Sequence, residues 1–263
     1  MLTESERSME FYRITRPDDP ALKDFWRMYE CSFPPEERRS REGQDNIISD
    51  PAYHCLAAMP SGGGQPASEG ENGRKPVGLF CFWMFPEICY LEHLAVHPDH
   101  RSGGIGGRIL RTWLERYGDA RLTVLEIDPP VTEIARRRRG FYERSGFVFN
   151  GGERGLFMHP SFGRTPHYHP LCLMSLGRPM SEEDHRLFHD AACAEIRRSA
   201  VCRSGGADVL KGKSPDMNCR GIFAPQSMFV RKSLQAGIGI NSTPPRAAVF
   251  SACAGSRANS AVE

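Results

Sequence analysis

The stretch HPDHRSGGIGGRIL, from His97, holds four glycines in five positions, Gly103, Gly104, Gly106 and Gly107, beside Arg101. It follows an apolar and aromatic run, ICYLEHLAV from Ile88, and precedes apolar residues at helical spacing. Glycine removes the Cβ atoms that block close approach, and the first amides of a helix point outward with the dipole behind them. A strand, a bare loop and a helix in this order therefore make a cradle for an anion, a phosphate above all. Two nucleotide motifs fail the count. The dinucleotide fingerprint G-x-G-x-x-G, started at Gly104, meets Gly106 and then Ile109, and the P-loop needs G-K-[ST] where Gly107 is followed by Arg108. Two carboxylates, Glu92 in LEHLAV and Glu126 in LEID, sit in the flanking runs. Strand alternation predicts Tyr90, Glu92, Leu94 and Val96 on one face and Leu91, His93 and Ala95 on the other, so that Glu92 and His93 cannot share a face.

The elements that must position these residues follow from pattern. FYRI from Phe11 reads as a strand, and DPALKDFWRMYECSF from Asp19 as a helix on Leu22, Phe25, Trp26 and Tyr29, stopped by Pro34 and Pro35. YHCLAAM from Tyr53 and VGLFCFWMF from Val77 are β-rich, and between them PSGGGQPASEGENGRKP has the composition of a flexible loop. After the glycine loop, a helix buries Ile105, Ile109, Leu110, Trp113, Leu114 and Tyr117 and ends at Gly118. LTVLEI from Leu122 is a buried-type strand, and VTEIARRRRGFYERSGF a helix closing at Gly146. Strands around Phe147 and from Leu171 follow, then a helix opened by a capping box, Ser181 to Asp184, and running to about Arg198.

Bulk properties exclude several classes. A chain of 263 residues, 40% apolar, can bury a real core, and a net charge of +2 from 34 basic and 32 acidic side chains gives no electrostatic case for nucleic acid or an anionic membrane. No run approaches the roughly 18 apolar residues of a membrane span. Nine cysteines without a C-x-x-C pair, and no signal-like opening, predict a reduced, cytoplasmic protein. Cys81, Cys89 and Cys172 read as small buried apolar side chains. His167 and His169 would share a strand face, but no third ligand accompanies them, so no metal is expected. The run Arg136 to Arg139 points four ways around a helix, which makes a solvated face with local ion pairs rather than one patch.

Arg101-Ser102-Gly103-Gly104-Ile105-Gly106 spells R-x-x-G-x-G, and GFYERSGF, Gly140 to Phe147, follows downstream. On these two ordered motifs, with strand, loop and helix context between them, the chain resembles the GCN5-related N-acetyltransferase (GNAT) family over about Phe11 to Arg198. The resemblance implies an α/β fold, a mixed, strongly twisted and splayed β-sheet flanked by helices. Residues 1–198 would form the acetyl-CoA-binding N-acetyltransferase domain, with a flexible insert at about 60–76, and residues 199–263 a low-complexity, disordered tail. It implies acetyl-CoA as co-substrate, its pyrophosphate on the backbone of Ser102, Gly103, Gly104, Ile105, Gly106 and Gly107, with Arg101 shaping the loop. The acyl group would lie along Leu94, Ala95 and Val96, where the strand parts from its neighbour and pairs with pantetheine as a strand would.

The implied reaction moves acetyl to a primary amine by direct attack. That needs a base for the ammonium proton and a donor for the leaving thiolate. By resemblance Glu92 is the first candidate base, through a water, Glu126 the alternative, and Tyr142 in FYERSGF the acid. Either carboxylate would also attract a cationic amine or position it without moving a proton. The asparagine many members carry before the tyrosine is missing from DPPVTEIARRRR, which leaves the contact to the CoA arm unassigned. Glu36, Glu37, Arg38 and Arg39, in PPEERRSRE, fall where the family places its acceptor loop, or else form a charged surface helix. The expected partners are acetyl-CoA and a small-molecule or protein amine, with neither nucleic acid nor membrane, and a homodimer is left open. The rival readings are a non-catalytic acyl-CoA-binding or sensory module of the same fold and an interaction protein.

Overall fold

A computed structural model of the chain describes residues 9–61, 75–118, 121–151, 155–160 and 168–200. All belong to the first of two compact units, Met1–Ile222. The expected flexible insert at about 60–76 and the tail from 199 fall, apart from their first and last few residues, outside the described ones, as do His167 and the side chains of His169 and Glu36.

Among the described residues, eight strands and five α-helices succeed one another as β1 (Met9–Ile14), α1 (Leu22–Ser32), α2 (Arg41–Ile47), β2 (Tyr53–Pro60), β3 (Gly78–Met84), β4 (Ile88–Val96), α3 (Ile105–Tyr117), β5 (Leu122–Ile127), α4 (Glu133–Glu143), β6 (Phe147–Phe149), β7 (Leu156–Pro160), β8 (Tyr168–Leu176) and α5 (Glu182–Ala200). The strands form one open mixed sheet in the order β1-β2-β3-β4-β5-β8-β6, with β7 on β8. Only β4 and β5 run parallel.

Each face of the sheet is covered because each strand alternates two apolar sets. Leu79, Cys81 and Trp83 of β3 pack toward Phe25, Trp26 and Tyr29 of α1, Ile47 of α2 and Phe188 of α5. Phe80 and Phe82 pack toward Ile109, Leu110 and Trp113 of α3, with Phe141 and Tyr142 of α4 at the margin. The capping box is formed, with Ser181 N–H donating to Asp184 Oδ2 at 2.6 Å and Asp184 N–H to Ser181 Oγ at 3.2 Å. Two elements go beyond the sequence reading. Short α2 is capped by Ser40, whose hydroxyl accepts the Gly43 N–H at 3.0 Å, and β7 pairs with a β8 that begins at Tyr168 rather than Leu171. Cys55, Cys81, Cys89 and Cys172 are buried free thiols, whereas Cys31 is disulfide-bonded, so the expectation of a wholly reduced chain fails there. No described helix is long and apolar enough to cross a membrane.

The expected alternation along β4 is corrected by a β-bulge. Cys81 of β3 faces His93 and Phe82 faces Leu91, which leaves Glu92 as the extra residue. Parity therefore flips: Ile88 and Tyr90 share a face with Ala95, and Cys89 and Leu91 share the other with Leu94 and Val96. Consecutive Glu92 and His93 now both meet the segment between α1 and α2, contrary to the expectation that they could not.

There Glu92 forms an ion pair with Arg39, their side chains 3% and 1% exposed. The expectation of a charged surface helix at residues 34–42 is corrected at Arg39: its guanidinium lies 5.6 Å from the Tyr53 ring centroid and 5.8 Å from that of Trp83. Its backbone N–H donates to Tyr29 Oη at 3.1 Å. Burial alone would push the Glu92 carboxyl up, but Arg39 and His93 outweigh it and hold it well below the usual carboxylate range.

A Cβ on Gly78, at the start of β3, would lie 2.8 Å from the Ala95 carbonyl oxygen and against Ile109 Cδ1. Gly78→Ala should destabilise the domain by about 1–3 kcal/mol in denaturant unfolding. The Arg39–Glu92 pair makes a second prediction. A carboxylate depressed in the folded state contributes stability that is complete above its unfolded pKa of about 4.3 and is lost as pH falls below it. The Tm of the native chain should therefore drop relative to that of an Arg39→Met, Glu92→Gln double variant between about pH 5 and 3. A constant difference would mean that the pair does not carry charge in the fold.

Candidate active site

β4 and β5 pair from Ile88↔Leu122 to Leu91↔Leu125 and then part, as β5 goes on pairing with β8 through Glu126↔Leu173 and Ile127↔Cys172. The bulge at Glu92 sits where they separate. A cleft of about 520 Å³ opens in the gap. Its floor is Tyr90 and residues 92–96 of β4 with residues 126–129 after β5. Its walls are Ser32, Phe33 and Glu37 before α2, Arg138 and Tyr142 of α4, His159 of β7, and Pro170 and Leu171 of β8.

The cleft brings together Glu92, Glu126, Tyr142, Leu94, Ala95, Val96 and Arg101 from the sequence-predicted set. The remaining ones, Ser102 to Gly107, make the turn into α3 rather than a wall of the cleft. Ser102 and Gly104 there have φ of 67° and 71°. A serine in that conformation is uncommon, and this one stores about 1 kcal/mol of backbone strain. Gly104 caps α3 with no side chain, and a Cβ added at Gly104 or Gly107 would meet nothing within 4 Å. The leading amides of α3 have no acceptor within the helix, and the absence of side chains at Gly104 and Gly107 leaves room beside them, which fits an anion such as pyrophosphate. Arg101 ties this turn down, donating through Nε to the Val96 carbonyl at 3.2 Å and through Nη2 to Ser32 Oγ at 3.5 Å.

The two carboxylates differ in setting. Glu92 is sealed with Arg39, whereas Glu126 is half-buried in the cleft and accepts a 2.6 Å hydrogen bond from Tyr90 Oη. His93 lies with Nε2 3.0 Å from the Glu37 carbonyl and 3.3 Å from Tyr29 Oη, and Nδ1 3.6 Å from Glu92 Oε2. Burial pushes His93 toward its neutral form, but the Glu92 carboxylate outweighs it and raises its pKa, which favours an imidazolium donating to the Glu37 carbonyl. Burial pushes the Tyr142 phenol up to about 12, against the opposing charge of Arg138.

The arginine run on α4 behaves as a solvated face. Arg137 pairs with Glu133, Arg138 with Asp128 and Arg139 with Glu143, and Arg136 donates to the Val131 carbonyl. Among the described residues, no cluster of three or more His, Cys, Asp or Glu could hold a metal ion. Sequence reasoning missed Tyr90 as partner of Glu126, and His159 altogether. The alternation of LFMHP, with Phe157 and His159 both buried, was the available signal for His159.

Residues 69–149 match the family model described as the acetyltransferase (GNAT) domain. Among solved structures, the fold resembles a protein assigned as a GNAT-family acetyltransferase from Bacteroides thetaiotaomicron. That match has 28% identity and a TM-score of 0.53 and covers 73% of this chain and 97% of that one. Fainter likenesses include the ribosomal-protein-S18-alanine N-acetyltransferase from Escherichia coli, at 15% identity and a TM-score of 0.43 over 67% of this chain and 97% of that one. Another is a GNAT family acetyltransferase from Elizabethkingia anophelis with acetyl-CoA bound, at 13% and 0.42 over 64% and 97%. No curated protein matches the chain. Family model, fold and parted strands agree: over residues 69–149 the chain matches the GNAT acetyltransferase domain, and its fold is similar to that of a GNAT-family acetyltransferase.

Proposed function

We propose that this domain transfers acetyl from acetyl-CoA to a primary amine within the β4–β5 cleft. The observation that carries the reading is the parting of β4 from β5 beside a side-chain-free helix start. Unpaired strand edge at residues 92–96 suits an amide-bearing pantetheine arm, and the amides of residues 102–107 suit its pyrophosphate. Acetyl-CoA would supply the activated thioester, and the chain would supply orientation, a base and a donor.

Glu126 is the better-supported base. A base works best near the operating pH, and Glu92 is held far below it by Arg39, so Glu92 serves the structure while Glu126 takes the ammonium proton. Tyr142, protonated at neutral pH, donates a hydrogen bond to the leaving thiolate. With its pKa near 12, donation of a hydrogen bond is favoured over complete transfer of the proton. Of the carboxylates lining the cleft, Glu92 pairs with Arg39 and Asp128 with Arg138, whereas Glu126 accepts from the Tyr90 phenol. A carboxylate at the proposed base attracts a cationic amine, and a diamine such as putrescine is the simplest to test.

Acetyl-CoA at about a hundredfold over its Kd should stabilise the fold by about 2.7 kcal/mol, a Tm rise of about 5–10 °C, with free adenosine giving none. With putrescine as acceptor and thiol release as readout, Glu126→Gln and Tyr142→Phe should each lower kcat by about 10²-fold or more while leaving acetyl-CoA affinity intact. Tight acetyl-CoA binding without transfer to any amine would support the non-catalytic reading, and unchanged turnover in Glu126→Gln would remove that residue from the chemistry.

A further inference from the structure

We propose that Arg39 is a positioning residue that fixes the acceptor wall of the cleft against the cofactor-facing strand; this rests on the acetyltransferase reading above. The wall has little structure of its own. Between α1 and α2 it contains one 3₁₀ turn of three residues, Pro35–Glu37, preceded by Pro34. Phe33 and Glu37 of this segment, with Ser32 at the end of α1, line the cleft, and Arg39 does not. Arg39 can therefore act on the reaction only through the others.

Three polar contacts of residues 37–39 end at the bulge of β4 or at Tyr29. The Arg39 guanidinium pairs with Glu92, the Arg39 N–H donates to Tyr29 Oη at 3.1 Å, and the Glu37 carbonyl meets His93 Nε2 at 3.0 Å. Tyr29 Oη is itself 3.3 Å from His93 Nε2, which closes the ties into one network. The guanidinium is 1% exposed and packs against the paired rings of Tyr53 and Trp83, so water does not compete for it. Its planar fork and its contact with both rings are features a lysine does not reproduce. An amine entering the cleft meets Phe33 and Glu37 where this network holds them. The wall's tie to the cofactor turn, Arg101 Nη2 to Ser32 Oγ at 3.5 Å, ends on α1 rather than on Arg39.

Arg39→Lys keeps the charge and loses the fork, and Arg39→Met with Glu92→Gln replaces a buried ion pair by an uncharged pair, an exchange the fold tolerates. In Arg39→Lys acetyl-CoA affinity should stay within about twofold of the native chain, while KM for putrescine rises about tenfold or more and kcat changes by less than about threefold, and the double variant should share the rise in KM. Amide hydrogen exchange over residues 33–40 should quicken by about tenfold in Arg39→Lys, with the sheet as protected as before. An unchanged putrescine KM, a parallel loss of acetyl-CoA affinity, or full protection of residues 33–40 in Arg39→Lys would overturn the proposal. If the native chain binds no acetyl-CoA, the acetyltransferase reading itself fails, and the exchange experiment still decides whether Arg39 pins the wall.

Discussion

A guanidinium removed from water has to meet a carboxylate removed from water, and Arg39 meets Glu92 because β4 carries one residue more than its partner strand. That extra residue turns Glu92 and His93 toward the same helical layer. It also comes at the last residue pair joining β4 to β5. One irregularity thus sets the floor of the cleft, the place where the sheet parts and the anchorage of the segment that walls it. Replacing the pair would remove a buried charge couple of the kind whose net worth is small when intact and whose half-removal is expensive.

The other end of the cleft depends on backbone rather than on side chains. Unpaired amides and carbonyls inside a fold are costly unless something satisfies them. Beyond Leu91 β4 has no pairing with β5, and the start of α3 carries amides with no acceptor inside the helix; in the proposed reading a ligand with its own amides and phosphates meets both. Ser102 and Gly104, both at positive φ, set the path of the chain into α3. Tyr90, below the bulge, reaches across the gap to Glu126, so the proposed base is oriented by the strand that bears the unpaired edge.

Local physics made much of this legible in the sequence. The glycine loop between a strand and an amphipathic helix declared an anion cradle by residue type alone, and the apolar spacing of α1, α3 and the central strands located the core. What escaped was non-local. Nothing in LEHLAV marks a bulge, because a bulge is a mismatch between two strands, so the faces assigned to Glu92, Leu94 and Val96 were wrong past that point. Arg39 stood beside three charged neighbours in EERR, and its burial depends on Tyr53, Trp83 and Glu92, contributed by three strands. Glu92 and Glu126 were equivalent as letters, and only the guanidinium beside one of them and the phenol beside the other separate them.

The most direct measurement is a crystal structure of the chain with CoA bound. The account predicts the pyrophosphate on the backbone amides of residues 102–107 and the pantetheine arm hydrogen-bonded alongside residues 92–96, its sulfur near Tyr142. CoA lodged elsewhere, or a β4–β5 gap filled by the protein's own side chains with CoA excluded, would contradict it.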